Sequence, residues 1–539
     1  MSAPGDVGSR RALLALVLPA TGLALLIAWT AAWGPDWPAQ DFRAWLAQHT
    51  GLTIWSNAWY AGDALVSYSA LYPLLALALG AALTGVFAVA ATSAAAVGLA
   101  PRGSRWRAIA FHVSVTAVLL ADLLIGEVPF LAGVAFGSWA LRAVAGRRGL
   151  LALLLAAACS LTSPIAGAFL LVSLPAVAVA LGWRAALPLL AAVLGPATAV
   201  VFGGVGGNFP FASATLVEVS VFCVVALAVS RKPAVQVFAL TYLAFCLVSF
   251  AVPNPIGGDV ARLGELVALP LVWHLIPTRS RPGARRIAGI AVLAAAAAAW
   301  QLYPAASAAS RGATDPSQHR QYYAGLLRFL HGQDPPAGRI EVVFTREHWE
   351  AYWVARDFPI ARGWERQTDL RVAGVLYHPL SAAGYHRWLR RNAVEFVALP
   401  DVPIDYGGRA EATLLQHPPT YLRQVYEDAH WRVWRVVGAT PLVSGPARMR
   451  LMGTSSFALD VRRAGAATVR IHGSDLWQVT RGAACLRTDR AGWLVVHARR
   501  PGRVDVRAGL SLDAVTGASP SACAERPRRT SAAESRPAR

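Results

Sequence analysis

Charge is scarce in this chain. Asp, Glu, Lys and Arg make up 15% of its 539 residues, against roughly 25% in soluble domains, and Lys232 is its single lysine. Cysteine is scarce too. There are five, none in a CxxC and none beside histidine at zinc spacing, which argues against a structural metal. Phosphate-loop chemistry is excluded: "GGVGGNFPF" (203–211) lacks GK[ST] and follows an apolar helix rather than a strand. Ser163 has no GxSxG context, and His348, His378 and His386 have no ligand pattern. No internal repeat is visible.

Apolar residues dominate instead, at 55%. Runs of about 18 or more recur through the first 300 positions, each long enough for a hydrocarbon core about 30 Å thick. Eleven spans are expected, near 11–32, 82–100, 107–124, 128–144, 149–162, 164–182, 185–203, 211–230, 233–252, 263–278 and 285–303. Alternate junctions carry the arginines ("PRGSRWR", "RAVAGRR", "RSRPGARR"), and the opposite junctions carry Asp36, Asp41, Asp63, Asp122, Glu127 and Asp259. That is the positive-inside pattern. It assigns the net charge of +20 to membrane topology rather than nucleic acid. The expectation is a multi-pass protein of the plasma (inner) membrane, its N-terminus cytoplasmic, its first helix retained, and everything after about 304 extracytoplasmic.

The outer part changes character. "RIEVVF" and "VEFVALP" read as strands, "TREHWEAYWVAR" and "AGYHRWLRRN" as helices. From about 440, short strands with Gly turns ("FALDVRR", "ATVRIHG", "GWLVVHAR", "GRVDVRAG") suggest a small β-sandwich. The expected fold is therefore a polytopic α-helical membrane protein with a C-terminal α/β plus β-sandwich region. The expected divisions are 1–303 (membrane), 304–439 (α/β), 440–515 (β-rich) and 516–539 (disordered tail). Cys485 and Cys523 can pair if that part lies outside the cytoplasm.

Three outer segments hold candidate chemistry. The first loop, "WGPDWPAQDFRAWLAQHTGLTIWSNAWYAGD" (33–63), combines five tryptophans with Asp36, Asp41 and Asp63. "AQDFRAWLAQH" suits a surface helix with Phe42, Trp45 and Leu46 on one face. Its tryptophans are expected in the membrane interface. Tyr68 and Tyr72 follow, on a short outer helix that breaks before the second span. In the second segment, Asp122 ends one span and Glu127 and Pro129 turn into the next; a carboxylate at the edge of an apolar helix needs a partner or a role. In the third, Asp259, Arg262 and Glu265 are spaced by three and share one helix face. That spacing suits a local salt bridge, and an outer-side arginine also suits a phosphate.

This layout resembles the GT-C glycosyltransferases, polytopic enzymes that use polyprenyl-phosphate-linked sugars. The shared pattern is one span, a long outer loop with an early aspartate (Asp41 or Asp36), a second acidic residue (Asp122 or Glu127), and a soluble domain after the membrane region. The segment "TREHWEAYWVARDFPIARGWERQTDL…YHRWLRRNAVEFVALP" is similar to the soluble part of actinobacterial integral membrane proteins of this plan. The resemblance implies inverting transfer of a sugar from a polyprenyl-phosphate donor to an extracytoplasmic glycan, lipid or protein acceptor. It implies Asp41 as base, Asp122 positioning the acceptor or joining Asp41 on a divalent metal (Mg or Mn), and Arg262 on the donor phosphate. Tyr68, Tyr72, Trp55 and Trp59 would line the sugar or lipid groove, with Asp36, Glu127 and Asp259 nearby. Aromatic residues of the β-rich domain would offer stacking faces to a glycan. Two other readings stay open. A transporter or flippase would need polar groups near mid-membrane. A non-catalytic envelope protein would bind a glycan or a partner.

Overall fold

A computed structural model of the chain describes residues 11, 14–30, 34–65, 68–203, 207–276, 284–333, 338–509 and 521–523. The expected disordered tail lies outside the described residues, 521–523 excepted. The chain divides into two compact units, Met1–Pro441 and Leu442–Arg539.

In the first unit a helix forms at each expected span: α1 (Val17–Thr30), α3 (Tyr72–Leu99), α4 (Arg105–Ile125), α5 (Val128–Ala145), α6 (Gly149–Thr162), α7 (Pro164–Leu181), the run α8 (Trp183–Ala186) to α9 (Leu194–Gly203), α10 (Ser213–Val229), α11 (Pro233–Ala251), α12 (Ala261–Leu275) and α13 (Ala284–Gly312). Helix α2 (Trp37–Thr50) forms in the first loop where a surface helix is expected, but nine of its 14 residues are buried. Seven helices among the described residues are long and apolar enough to cross a membrane. The other four expected spans fall short. Helices α1, α6 and α10 are apolar but have 14 to 17 residues, about 21–26 Å at 1.5 Å per residue. Helix α12 has 15 and carries Arg262 and Glu265.

Local chemistry explains the boundaries. Ser163 caps α7, accepting from the Ala166 amide at 3.3 Å, and Pro164 occupies its first turn. The second span starts ten residues before its expected start and breaks at Gly80 (φ 73°, ψ 175°), a conformation that favours glycine. Tyr72 therefore begins a short outer helix that continues, after the break, as the span.

The outer α/β region belongs to the same unit. The first loop forms a short antiparallel pair, β1 (Trp55–Ser56) and β2 (Asp63–Ala64), and the sheet of the outer region has the order β3-β4-β6-β5. Strand β3 (Arg339–Val342) runs parallel to β4 (Val394–Pro400), and β6 (Trp431–Val436) runs antiparallel to both β4 and β5 (Leu422–Glu427). "TREHWEAYWVAR" contains only one helical turn, Glu350–Trp353, because His348 takes a left-handed φ of 59°. One buried core runs from Leu131 and Tyr72 through Phe42 and Trp59 of the first loop to Trp349, Ile360 and Phe396 of the outer region.

The second unit is a sandwich of two four-stranded antiparallel sheets, ordered β12-β13-β10-β7 and β11-β14-β9-β8, in which β7 is Val443–Ser444, β8 Ala447–Met452 and β11 Trp477–Arg481. The expected strands are β9 (Ser456–Val461), β10 (Gly465–His472), β13 (Trp493–Ala498) and β14 (Gly502–Ala508). Cys485 of β12 (Ala484–Thr488) is disulfide-bonded to Cys523. Trp477, Trp493 and Phe457 are buried. The expected aromatic stacking faces for a glycan are absent among the described residues, because these rings fill the core.

Candidate active site

The site is built where the first loop folds back on the α4–α5 turn. The amides of Gly34 and Asp36 donate to the carbonyls of Leu124 (2.8 Å) and Ile125 (3.1 Å). The Trp37 indole donates to Leu123 O at 3.0 Å. The turn must be glycine at 126: φ is +100°, and a Cβ would lie 2.5 Å from the Trp37 nitrogen. This docking sets Asp36 beside Glu127. Asp36 occupies the N-cap position of α2 but makes no capping bond, so its carboxylate is left for another partner.

That partner is Arg262, in the first turn of α12. Its guanidinium lies 3.1 Å from Glu127, 3.2 Å from Asp259 and 3.9 Å from Asp36. Asn254 shapes the loop before it, its side-chain oxygen accepting the amides of Ile256 and Gly257 at 2.9 Å each. Burial raises the Glu127 carboxyl well above the ordinary range, against the pull of Arg262. Burial raises Asp259 also. The expected Asp259–Arg262 salt bridge forms. Asp122 lies within electrostatic reach of Glu265 and Arg262. Arg262 is thus surrounded by carboxylates, and an added phosphate there would meet net negative charge.

The opposite end of the same helix face carries an arginine. Asp36, Gln40 and Arg43, at spacings of four and three, share one side of α2. Gln40 links them: its amide donates to the Tyr68 hydroxyl at 3.1 Å, and its oxygen accepts from Arg43 at 3.4 Å. The Arg43 guanidinium stacks on the Tyr68 ring, 3.7 Å from its centroid, and is ion-paired to Glu365 of the outer region. Both partners are buried, at 6% and 8% exposure. The Arg43 Nε–H has no hydrogen-bond acceptor among the described residues. Arg43 lines a narrow cleft, with about 10 Å³ of water-accessible room, together with Leu65, Tyr68, Ser69, Tyr72 and Pro73.

Other expected residues fall elsewhere. Asp41 is five residues from Asp36, about 140° around the helix at 100° per residue, and faces Tyr72 and Tyr352. Asp41 therefore stands apart from Arg262, whereas Asp122 stays within electrostatic reach of Arg262 and Glu127, beside Asp36 and Asp259. Burial pushes the Asp41 carboxyl up to about 7 and, with the charge of Glu365, pushes Asp63 up to about 7. Trp55 and Trp59, expected in a groove, are buried. Trp59 stacks on Phe42 at 4.4 Å and donates to the Ala351 carbonyl at 3.0 Å. The Trp59 ring packs against the Gly363 backbone as well, so it seals the loop onto the outer region rather than onto lipid. Trp33 lies outside the described residues. No group of three Asp, Glu, His or Cys among the described residues could hold an ion; a metal shared by Asp41, Asp122 and a substrate phosphate stays a proposal.

The outer region supplies what sequence reading missed. Glu365 reaches Arg43, and its backbone exchanges hydrogen bonds with the Tyr60 hydroxyl (2.9 and 3.2 Å). Behind it lie two buried polar clusters. Arg362 holds Asp369 through two bonds of 2.9 and 2.5 Å, with Glu341 and Glu411 at 3.9 and 3.7 Å. Arg366 pairs with Asp405 at 2.9 Å, and His348 lies 3.6 Å from the same carboxylate. Although burial opposes it, His348 and Arg366 hold Asp405 well below the usual carboxylate range.

Fold and site together define a polytopic helical membrane protein whose polar centre joins its first loop, its membrane helices and an outer α/β region. No family model and no curated protein matches the chain. Among solved structures it is similar to ArnT from Cupriavidus metallidurans bound to undecaprenyl phosphate. Identity is 14% and the TM-score 0.36, over 79% of this chain and 99% of that one. The apo state of the same protein matches at 12% identity and a TM-score of 0.34, over 78% and 98%. At this distance no residue role is carried across.

Proposed function

We propose that the chain is a membrane glycosyltransferase that takes a sugar from a polyprenyl-phosphate donor. The observation that carries this reading is the shared face of α2: a buried arginine with a spare N–H lines a cleft at one end, and a carboxylate stands at the other. Arg43 suits the donor phosphate better than Arg262, because one carboxylate partners it rather than three. A guanidinium binds phosphate oxygens through paired hydrogen bonds, and the Tyr68 hydroxyl stands beside it. The isoprenoid tail would lie along the apolar helices.

In the reaction, an acceptor hydroxyl attacks C1 of the sugar. The new C1–O bond forms as the bond from C1 to the phosphate oxygen breaks, and the anomeric centre inverts. The hydroxyl proton passes to a carboxylate, and polyprenyl phosphate leaves with the charge that Arg43 offsets. Asp36 is the better base by position: it is 28% exposed, near Tyr68 and on the Arg43 face. The reading also places the site and the outer region on the extracytoplasmic side.

Reconstituted protein supplied with a panel of radiolabelled polyprenyl-phosphate hexoses and pentoses tests this. Asp36→Asn is expected to bind polyprenyl phosphate normally and to transfer no sugar, whereas Asp41→Asn keeps transfer. Full transfer by Asp36→Asn removes it as base. Undiminished polyprenyl-phosphate binding by Arg43→Gln removes the phosphate assignment.

A further inference from the structure

The C-terminal sandwich has a charge pattern that the transferase reading does not use. Residues 442–509 hold twelve arginines, no lysine, four aspartates and no glutamate, a net charge of +8. The topology gathers part of this charge at one end. Strand β9 leaves one sheet at Val461 and enters the other as β10 at Gly465; β13 leaves that second sheet at Ala498 and returns as β14 at Gly502. Val461 is paired with Gly502, and Gly465 with Ala498. The two crossings therefore run side by side, about 5 Å apart, each spanning the ~10 Å between sheets.

One crossing carries Arg462 and Arg463 and the other Arg499 and Arg500, all exposed. Neighbouring backbone brings more. The Arg462 amide donates to Pro446 O and the Arg499 amide to Ala483 O, both at 2.8 Å, which places exposed Arg448 and Arg481 at the same end. The aspartates nearest this end are engaged, Asp460 by Arg450 (3.4 Å) and Asp505 by Arg503 (2.7 Å). No ion pair satisfies Arg462, Arg463, Arg499 or Arg500 among the described residues.

We propose that this end of the sandwich binds an anionic polysaccharide, one that carries carboxylate or phosphate groups along its chain. Guanidinium forks match both groups, and the ridge offers several at once. The Cys485–Cys523 disulfide in the same unit belongs to an oxidising compartment, which disfavours nucleic acid as the partner. A membrane surface is disfavoured by the lack of apolar anchors: Leu451 is the large apolar side chain exposed among the described residues of this unit, and it lies within β8 (Ala447–Met452). Recognition runs through charge, because the aromatic rings are buried.

The test uses the full-length protein in nanodiscs of uncharged phosphatidylcholine, with alginate and inorganic polyphosphate as probes and neutral dextran as control. Alginate or polyphosphate binds and weakens with salt, and dextran does not bind. Replacing Arg462, Arg463, Arg499 and Arg500 together by Gln weakens binding about tenfold or more, since four exposed charge pairs are each worth a factor of a few. Replacing the same four by Lys keeps binding within about threefold, which guards against a folding defect in the Gln variant. Arg487→Gln with Arg490→Gln, at the far end of the sandwich, changes binding by less than about twofold. Equal loss from the far-end pair overturns the proposal, as does unchanged binding in the Gln variant. Capture of phosphatidylglycerol vesicles with no affinity for either polyanion assigns the ridge to a lipid surface and also overturns it.

Discussion

The pair Arg43–Glu365 separates a structural role from a functional one. The two residues are 322 apart in sequence and bury a guanidinium and a carboxylate together. Removing one partner of a buried pair leaves an uncompensated charge, at a cost of roughly 3–5 kcal/mol. Here each survivor keeps some help. Glu365 still accepts from the Thr368 hydroxyl at 3.0 Å, and Arg43 still rests on the Tyr68 ring. We therefore expect Arg43→Met and Glu365→Met each to destabilise by about 2–3 kcal/mol. The double variant buries two thioether chains of similar length and no charge. Replacing a whole buried pair by apolar residues is often close to neutral, so it should return to within about 1 kcal/mol of the parent.

Sugar transfer should not return with it. If Arg43 holds the donor phosphate, its loss removes a hydrogen bond between charged groups worth about 1.5–3 kcal/mol, or roughly 10–150-fold in kcat/KM. The double variant should carry that full loss despite its recovered stability. Thermal unfolding in detergent and polyprenyl-phosphate binding, measured on all four proteins, form a double-mutant cycle for each property. Strong coupling is expected in stability, and little in binding. Recovery of binding in the double variant would falsify the phosphate role and leave Arg43 a strut between the loop and the outer region.

Two further perturbations follow from the same loop. The Asp41 carboxyl, raised to about 7 by burial, binds its proton more tightly in the folded protein than in the unfolded chain, where its value is near 4. Its contribution to stability is complete below about pH 4 and is lost as pH rises through 7. Three units set a ceiling of about 4 kcal/mol, which partial exposure reduces to about 1–2; Asp41→Asn should flatten the fall in unfolding free energy between pH 5 and pH 8 by that amount, and an unchanged pH profile refutes the burial argument. Gly126→Ala places a methyl 2.5 Å from the Trp37 nitrogen at φ +100°. It should cost about 1–3 kcal/mol and lower transfer along with the melting temperature, whereas Gly149→Ala, whose nearest neighbour is 3.9 Å away, should change neither.

Much of the fold was legible because hydrophobic length and charge placement are local signals. Each expected span holds a helix, and the Ser163–Pro164 break, the Cys485–Cys523 pair and four strands of the sandwich fall where their residues indicate. The count of long spans was less legible. Composition marks α1, α6, α10 and α12 as apolar, but apolar runs do not register how many residues become helical: α6 has 14 and α10 has 17, and α12 has 15 with Arg262 and Glu265 among them. The single turn at Glu350–Trp353 was missed for a similar reason: "TREHWEAYWVAR" has helical periodicity, and the left-handed turn at His348 overrides it.

The site was legible in its parts and not in its assembly. Spacings of four and three put Asp36, Gln40 and Arg43 on one face of α2 and Asp41 on another, but neither Gln40 nor Arg43 stood out in the sequence, because the choice of face depends on what packs there. Trp37 is the residue that decides it. Its indole bonds to Leu123 and its backbone closes on Gly126, which turns Asp36 toward Arg262 and leaves Asp41 against Tyr72 and Tyr352. The tryptophans misled because composition beside a membrane suggests an interface belt, while Trp59 is buried by a region that begins some 280 residues later. That burial also brings Glu365 onto Arg43. The first loop is therefore the middle layer of a three-part core rather than a membrane anchor, and the outer region is part of the site because it neutralises and positions the one arginine that lines the cleft. A chain truncated before residue 338 would leave Arg43 without its carboxylate and Trp59 without the Ala351 carbonyl and the Gly363 backbone it packs against. The catalytic assignment is thus inseparable from the outer region, and a loop-swap that keeps residues 34–65 while replacing 338–441 should lose polyprenyl-phosphate binding even where the membrane helices fold.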